Sequence, residues 1–519
     1  MSNPVRHIVI VGGGSAGWLT AGVLAAEHRS NSESPVRITL IESPDIKTIG
    51  VGEGTWPSMR DTLRHMGVSE TSFLRECDAS FKQGSKFVGW ATGKADDYYY
   101  HPFVLPQGYT EVSLVAEWQA SHSGMRFADL VSFQPHLCER GKAPKQAATP
   151  EYAAVANYAY HLDAGKFGEF LREHCKNTFG VEHVLDHVRG VVSAEDGDIL
   201  ALETESHGNL EGDLFIDCTG FAALLIGKHY GIPFVSRKHQ LFNDSALAVQ
   251  LPYASADAPI ASQTTGTATS CGWIWDIGLP TRRGVGHVYS SAHASDGDAE
   301  RELSDYVAAT SGKDAVQALS PRKISFDPGH REVFWHKNCV AVGISAGFIE
   351  PLEASALALI EFSAAMIRDE LPENRAVMDT VAKRFNETFR YRWDRVVDFL
   401  KLHYILNKRE DDGYWADNRS VESTPERLME LLQLWRFQPP SRRDVSHVEE
   451  IFPSASYQYV LYGMGFLPEK RTMGRRSDNP EAANRLFMET AATTQKMMAG
   501  LPSTRELINH VLQNGMPRI

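Results

Sequence analysis

The stretch "HIVIVGGGSAGWLTAGVLAAEH", residues 7–28, constrains the fold of this chain more than any other. A short apolar run stops at a glycine turn in which Gly12, Gly14 and Gly17 spell GxGxxG, and the chain passes directly into a helix-forming segment. A second strand, "VRITLIE", then closes on Glu42. Strand, glycine turn, helix and strand make a βαβ unit. Such glycines permit a tight turn and let main-chain amides approach a pyrophosphate at a helix N-terminus. An acid ending the second strand accepts hydrogen bonds from ribose hydroxyls. The spacing predicts a dinucleotide held by Gly12, Gly14, Ser15, Ala16, Gly17 and Glu42; the competing reading is a glycine turn beside a surface glutamate.

Beyond this unit the text changes character. Residues 180–220 are β-rich and end in "DLFIDCTG", another buried strand stopped by glycine, and residues 244–292 are β-like with turns at "LPTRRGVGH". From about residue 354 helical periodicity dominates, in "ASALALIEFSAAMIRDEL" and again in "TPERLMELLQLW". The 519 residues suffice for several domain-sized cores. Recurrence of β segments around the βαβ unit predicts interleaved lobes across 1–353 and a helical region over 354–519, in one compact α/β unit.

Charge and leader signals exclude several classes. The net charge is −13 with no lysine/arginine block, so a nucleic-acid footprint is missing. The N-terminal text lacks a signal-peptide layout, and no apolar run approaches the roughly 18 residues that span a bilayer. Six cysteines are scattered without a CxxC pair, which reads as reduced thiols with neither a disulfide framework nor a metal site. A cytoplasmic location is expected.

"FKQGSKFVGW", residues 81–90, places Lys82 and Lys86 in text that otherwise reads as buried strand. Full burial of an ammonium is costly unless it is paired. Alternation puts Lys86 on a solvated strand face, and the bland reading puts Lys82 there too. A second unusual stretch, "CGWIWDIGLP", spells WxWxI with Trp273 and Trp275 on one strand face, a packed aromatic pair or a rigid wall.

Later segments specify the dinucleotide. "LFIDCTG" and "CVAVGISAGFIEPLE" resemble FAD-contacting segments of glutathione-reductase-like flavoproteins, although Ile344 follows Gly343 where common hydroxylases of that class carry an aspartate. No second GxGxxG with strand and helix flanks is present to hold a nicotinamide cofactor. "VGGGSAGW", "IGVGEGTWPS", "FKQGSKFVGW", "YYYHPF", "AYHLDAGKFGEFLR", "WIWDIGLP" and "GFIEPLEASAL" occur in order. Together they resemble the flavin-dependent halogenases, the tryptophan halogenases among them, over essentially the whole chain.

The resemblance implies an FAD-binding, glutathione-reductase-like fold and a reaction in which FADH₂, O₂ and halide give hypohalous acid. The family lysine falls on Lys82, which would hold the oxidant or become a haloamine; burial would favour its nucleophilic amine. Lys86 stays structural. The family glutamate falls on Glu353, which would orient the electrophile and stabilise the cationic ring. Amides of Ser355 and Ala356, at a helix N-terminus, would face the halide. Ala354-Ser355-Ala356 replaces the family's Ser-Thr-Gly, so bromide is expected ahead of chloride. FAD contacts are also expected at Gly54, Val188 and Ile344, and Gly50, Gly52 and Gly54 would let a strap over the flavin move. Trp273 and Trp275 would wall the flavin off, although Gly278 and Leu279 separate the motif from Pro280.

"YYYHPF" matches the pocket that sandwiches indole, which implies ring contacts from His101, Pro102 and Phe103. The paired tyrosines, tryptophan and asparagine that hold tryptophan's amino-acid end have no match in "FPSASYQYVLYGMGF". The expected substrate is therefore free indole, another small electron-rich arene or a larger tethered one. Reduced FAD would come from a separate flavin reductase, with no nucleic acid or membrane as partner and a homodimer left open. The alternatives are a flavin-dependent aromatic hydroxylase and a non-catalytic FAD-binding protein.

Overall fold

The structure is a computed structural model that describes residues 4–28, 36–46, 52–94, 96–411, 413–445, 447, 450–469 and 474–518. The chain divides into two compact units, each drawn from three separated segments. Met1–Ala79, Leu162–Arg237 and Asp327–Trp393 form the first; Ser80–His161, Lys238–Phe326 and Asp394–Ile519 form the second. The helices after residue 353 divide accordingly. Ser355–Asp369 belongs to the first unit, and those from Tyr414–Asn418 onward belong to the second.

The first unit is built on a six-stranded sheet in the order Trp335–His336, Cys339–Ala341, Leu214–Asp217, His7–Val11, Arg37–Glu42, Glu182–Leu185. All pairings are parallel except the edge hairpin Trp335–His336/Cys339–Ala341. Every residue of His7–Val11 is buried, as a central parallel strand covered on both faces requires. Helix Ser15–His28 packs on Ala164–Phe179 and Ser355–Asp369, and its small residues allow that closeness. A Cβ at Gly22 would stand 2.2 Å from Met66 Cε. The helix has little amphipathic character because it has almost no exposed face. Asp163 caps helix Ala164–Phe179 by accepting from the Lys166 amide at 3.0 Å, and Gly180, with φ 66°, ends it.

The second unit carries a seven-stranded sheet: Arg322–Ser325, Ser245–Pro252, Arg282–Tyr289, Gly272–Gly278, Thr264–Ala268, Gly84–Val88, Tyr98–Pro102. It is antiparallel apart from the pair Thr264–Ala268/Gly84–Val88. Helix Asp296–Ser311 starts with a capping box between Ser295 and Asp298 and buries Leu303 and Val307 against Leu247, Val249, Ile274 and Val285. An aromatic layer around Trp90, Phe87, Tyr99 and Trp415 also belongs to this unit. Among the described residues no helix is long and apolar enough to cross a membrane.

Candidate active site

The glycine turn in the first unit meets the steric demands of a pyrophosphate cradle one glycine at a time. Gly12 has φ 111°, and a Cβ there would lie 2.3 Å from the Cys218 carbonyl oxygen, so only glycine fits. A Cβ at Gly17 would lie 1.9 Å from the Gly12 carbonyl oxygen, so this glycine lets the helix close onto the strand. At Gly14 a Cβ would meet nothing within 4 Å. That position is open, as close approach by a ligand requires. Ser15 and Ala16 follow in the first turn of the helix. The carboxylate of Glu42 lies over Gly13 and shares a 2.7 Å hydrogen bond with His183 Nε2. This donor and acceptor set fits a dinucleotide such as FAD.

The segment after the edge hairpin returns to this turn. Gly343, at φ 76°, would place a Cβ 2.8 Å from Ala16 Cβ, which brings Ile344 alongside the cradle. Ile344, Ser355 and Ala356 line one largely apolar cavity with Phe348, Leu359 and Trp393. Val188 is placed differently. It packs its side chain against the cluster of Val9, Val11 and Ile41. Gly54 is buried on the short strand Glu53–Gly54, Gly52 is buried beside it, and Gly50 lies outside the described residues.

Glu353 and Ala354 both adopt left-handed backbone, at φ 63° and 55°. Non-glycine residues rarely pay for that conformation, and it clusters at functional sites. The consequence here is local: the chain turns sharply after Pro351, the Ala354 amide donates to the Pro351 carbonyl at 3.0 Å, and helix Ser355–Asp369 begins at once. Glu353 is buried, and Trp56 Nε1 donates to its carbonyl oxygen at 2.6 Å.

In the second unit Lys82 is 1% exposed. It ends strand Ser80–Lys82, which pairs antiparallel with Ala159–Leu162, Lys82 opposite Ala159 and Ser80 opposite His161. Its ammonium stands 5.5 Å from the centre of the Phe103 ring, within cation–π range. Lys86 is a different case. Its Nζ donates to Glu139 Oε1 at 2.5 Å and stands 4.3 Å from the Tyr98 ring, an ordinary ion pair at the protein's edge.

Around Lys82 the aromatic residues of "YYYHPF" sit on strand Tyr98–Pro102 and just beyond it. His101 is buried, shares a 2.9 Å hydrogen bond with Ser456 Oγ, and lies against Phe399 and Tyr459. Pro102 pairs with Gly84, where the close approach leaves no room for a Cβ. Trp273 and Trp275 share one face of strand Gly272–Gly278, ring centres 6.4 Å apart. Gly286 on the neighbouring strand makes room for the Trp275 ring, and Trp273 stands beside Trp90. Both are buried.

Three titratable side chains escaped the sequence reading. His161, on the same strand face as the residues opposite Lys82, is fully buried with Nε2 2.8 Å from Thr264 Oγ1. Burial first, and the Lys82 charge second, push its pKa well down and keep the imidazole neutral. Glu361, inside helix Ser355–Asp369, accepts from Thr62 Oγ1 at 2.7 Å, and burial pushes its carboxyl up to about 8. Glu53 is pushed up to about 7 by burial. The signal for each was a polar residue inside an apolar run, "NYAYHL", "ALALIEF" and "IGVGEG".

Known proteins resemble this chain along its whole length. The sequence profile described as tryptophan halogenase matches residues 7–478. Tryptophan 6-halogenase SttH of Streptomyces toxytricini is 32% identical over 97% of this chain and 98% of its own. The crystal structure of a tryptophan halogenase from Shewanella frigidimarina superposes with a TM-score of 0.96 at 49% identity, covering 100% of this chain and 99% of that one. BrvH, a flavin-dependent halogenase from Brevundimonas sp. BAL3, gives a TM-score of 0.85 at 33% identity, covering 98% and 99%.

Proposed function

This chain belongs to the tryptophan halogenase family and is a flavin-dependent halogenase, and from that premise we propose that it halogenates a small, electron-rich, indole-like arene through hypohalous acid held by Lys82. Reduced FAD with O₂ supplies the two-electron oxidation that converts halide to hypohalous acid. The chain's own residues do the rest. Gly12, Gly14 and Gly17 shape the pyrophosphate cradle, and the amides opening helix Ser355–Asp369 attract the halide through the positive end of the helix.

Lys82 donates a hydrogen bond to the hypohalous acid, or its neutral amine takes the halogen as a haloamine, the oxygen–halogen bond breaking and the hydroxide leaving as water with the amine's proton. The observation that carries the reading is the burial of this ammonium beside Phe103, at the end of strand Ser80–Lys82. Loss of water around it prevents the oxidant from dispersing. Glu353 orients the electrophile, offsets the positive charge of the ring intermediate and accepts the proton lost as aromaticity returns. His101, Pro102 and Phe103 present ring surface to the substrate. Without partners for an amino-acid end, free indole is the simplest substrate. Ala354, in place of a hydroxyl-bearing residue, favours bromide over chloride.

The test supplies the purified protein with a flavin reductase, NADH, FAD, O₂, bromide and indole, and weighs the product. Mass added as bromine supports the proposal, whereas mass added as oxygen supports an aromatic hydroxylase.

A further inference from the structure

Cys271, His287 and Glu302, spread over one hairpin and the helix that follows it, converge within the second unit, each offering one donor atom, with all three atoms within 4.8 Å of one another. Cys271 precedes strand Gly272–Gly278, His287 lies on Arg282–Tyr289, and Glu302 projects from helix Asp296–Ser311. The Cys271 thiol stands 3.5 Å from Glu302 Oε2, and His287 Nε2 stands 3.5 Å from the same oxygen. Such edge lengths suit a tetrahedral centre with bonds of about 2.0–2.3 Å.

The histidine is oriented for the task. Its Nδ1 lies 3.0 Å from the Ala299 carbonyl, which can only accept, so Nδ1 carries the proton and Nε2 presents its lone pair to the other two residues. Thr269 Oγ1 is 2.9 Å from Nε2, and without a metal its hydroxyl donates there. Cys271 and His287 are buried, whereas the Glu302 side chain is 26% exposed and gives an ion a route from solvent.

We propose that Cys271, His287 and Glu302 form a zinc site that pins helix Asp296–Ser311 to the sheet. A sulfur, imidazole and carboxylate set prefers Zn²⁺ to the hard cations, which take oxygen ligands. Binding exchanges the thiol proton, released to solvent, for a sulfur–zinc bond; no electrons move. The scattered cysteines argued against a metal because spacing alone hides ligands that three different elements bring together.

The experiment uses the full chain, stripped with a chelator and reloaded with Zn²⁺ or Co²⁺. Wild type should retain about one zinc per chain after removal of excess metal, and Co²⁺ should give a near-ultraviolet sulfur-to-metal charge-transfer band. His287→Ala should lose the ion, Cys271→Ser should lose the band, and Glu302→Gln should weaken binding at least about tenfold. Wild type that retains no more metal than His287→Ala, or a cobalt spectrum without the thiolate band, overturns the proposal. Should the variants misfold, wild type alone decides.

Discussion

Trp56 Nε1 donates to the main-chain carbonyl of Glu353 at 2.6 Å, which ties the segment "GTWPS" to a glutamate held in left-handed backbone. A residue at φ 63° keeps that conformation only if its surroundings over-determine it. The indole donor is one such restraint, and the ring is itself steadied edge-on against Phe362.

Trp56→Phe removes the donor while keeping an aromatic ring. A hydrogen bond of this kind contributes about 1 kcal/mol net, so kcat should fall about fivefold to tenfold. KM for the arene should change little, because the loss is in the placement of Glu353. Steady-state rates with saturating FADH₂ measure both.

Gly14 separates cofactor binding from folding. A Cβ there meets no protein atom within 4 Å, so Gly14→Ala should melt within a degree or two of wild type. FAD should nevertheless bind at least about tenfold more weakly, since the added methyl occupies the approach to the pyrophosphate. Gly17→Ala, with 1.9 Å to the Gly12 carbonyl oxygen, should lower both stability and FAD affinity. Fluorescence titration with FAD and thermal melts distinguish the two.

Glu361 predicts a pH dependence of stability. Its carboxyl titrates near 8 in the fold against an ordinary value of 4.5, because burial penalises the charge. The unfolded chain releases this proton first as pH rises, so its contribution is intact below the ordinary value and is lost through about pH 8. Glu361→Gln keeps the Thr62 contact and carries no charge to desolvate. It should therefore melt several degrees above wild type near pH 8, with the gap closing toward about pH 4. Melting curves across that range check the sign.

Parts of this molecule were legible because the residue types are costly anywhere but in one local setting. Gly12 and Gly17 are dictated by atoms that a side chain would strike, so their spacing alone foretold the βαβ turn. Lys82 stood out because a lysine beside Phe81 in strand-like text is expensive to bury. Glu353 was found through its neighbours "PL" and "AS", yet nothing in those letters reveals a left-handed backbone. Glu361 was hidden by helical text that tolerates a polar residue on any exposed face. His161 depends on strand pairing across a long stretch of sequence, and the Cys271–His287–Glu302 cluster on a hairpin register and the helix packed after it, neither of which periodicity reports.

Electron supply follows from the single glycine cradle in the sequence. Purified protein with FAD and NADH alone should form no product and oxidise NADH no faster than buffer. Addition of a flavin reductase should restore turnover. Saturable NADH oxidation by the protein itself would point to hydroxylase chemistry.

Everything proposed for the reaction turns on Lys82 holding the halogen. The direct measurement compares product formation and flavin oxidation in Lys82→Ala, with Lys86→Ala as control because Lys86 is engaged with Glu139. Lys82→Ala should bind FAD and oxidise FADH₂ as wild type does, while brominated product falls by at least about a hundredfold. Lys86→Ala should keep most activity. Bromination by Lys82→Ala at near wild-type rate, at the same ring position, would contradict that role for Lys82.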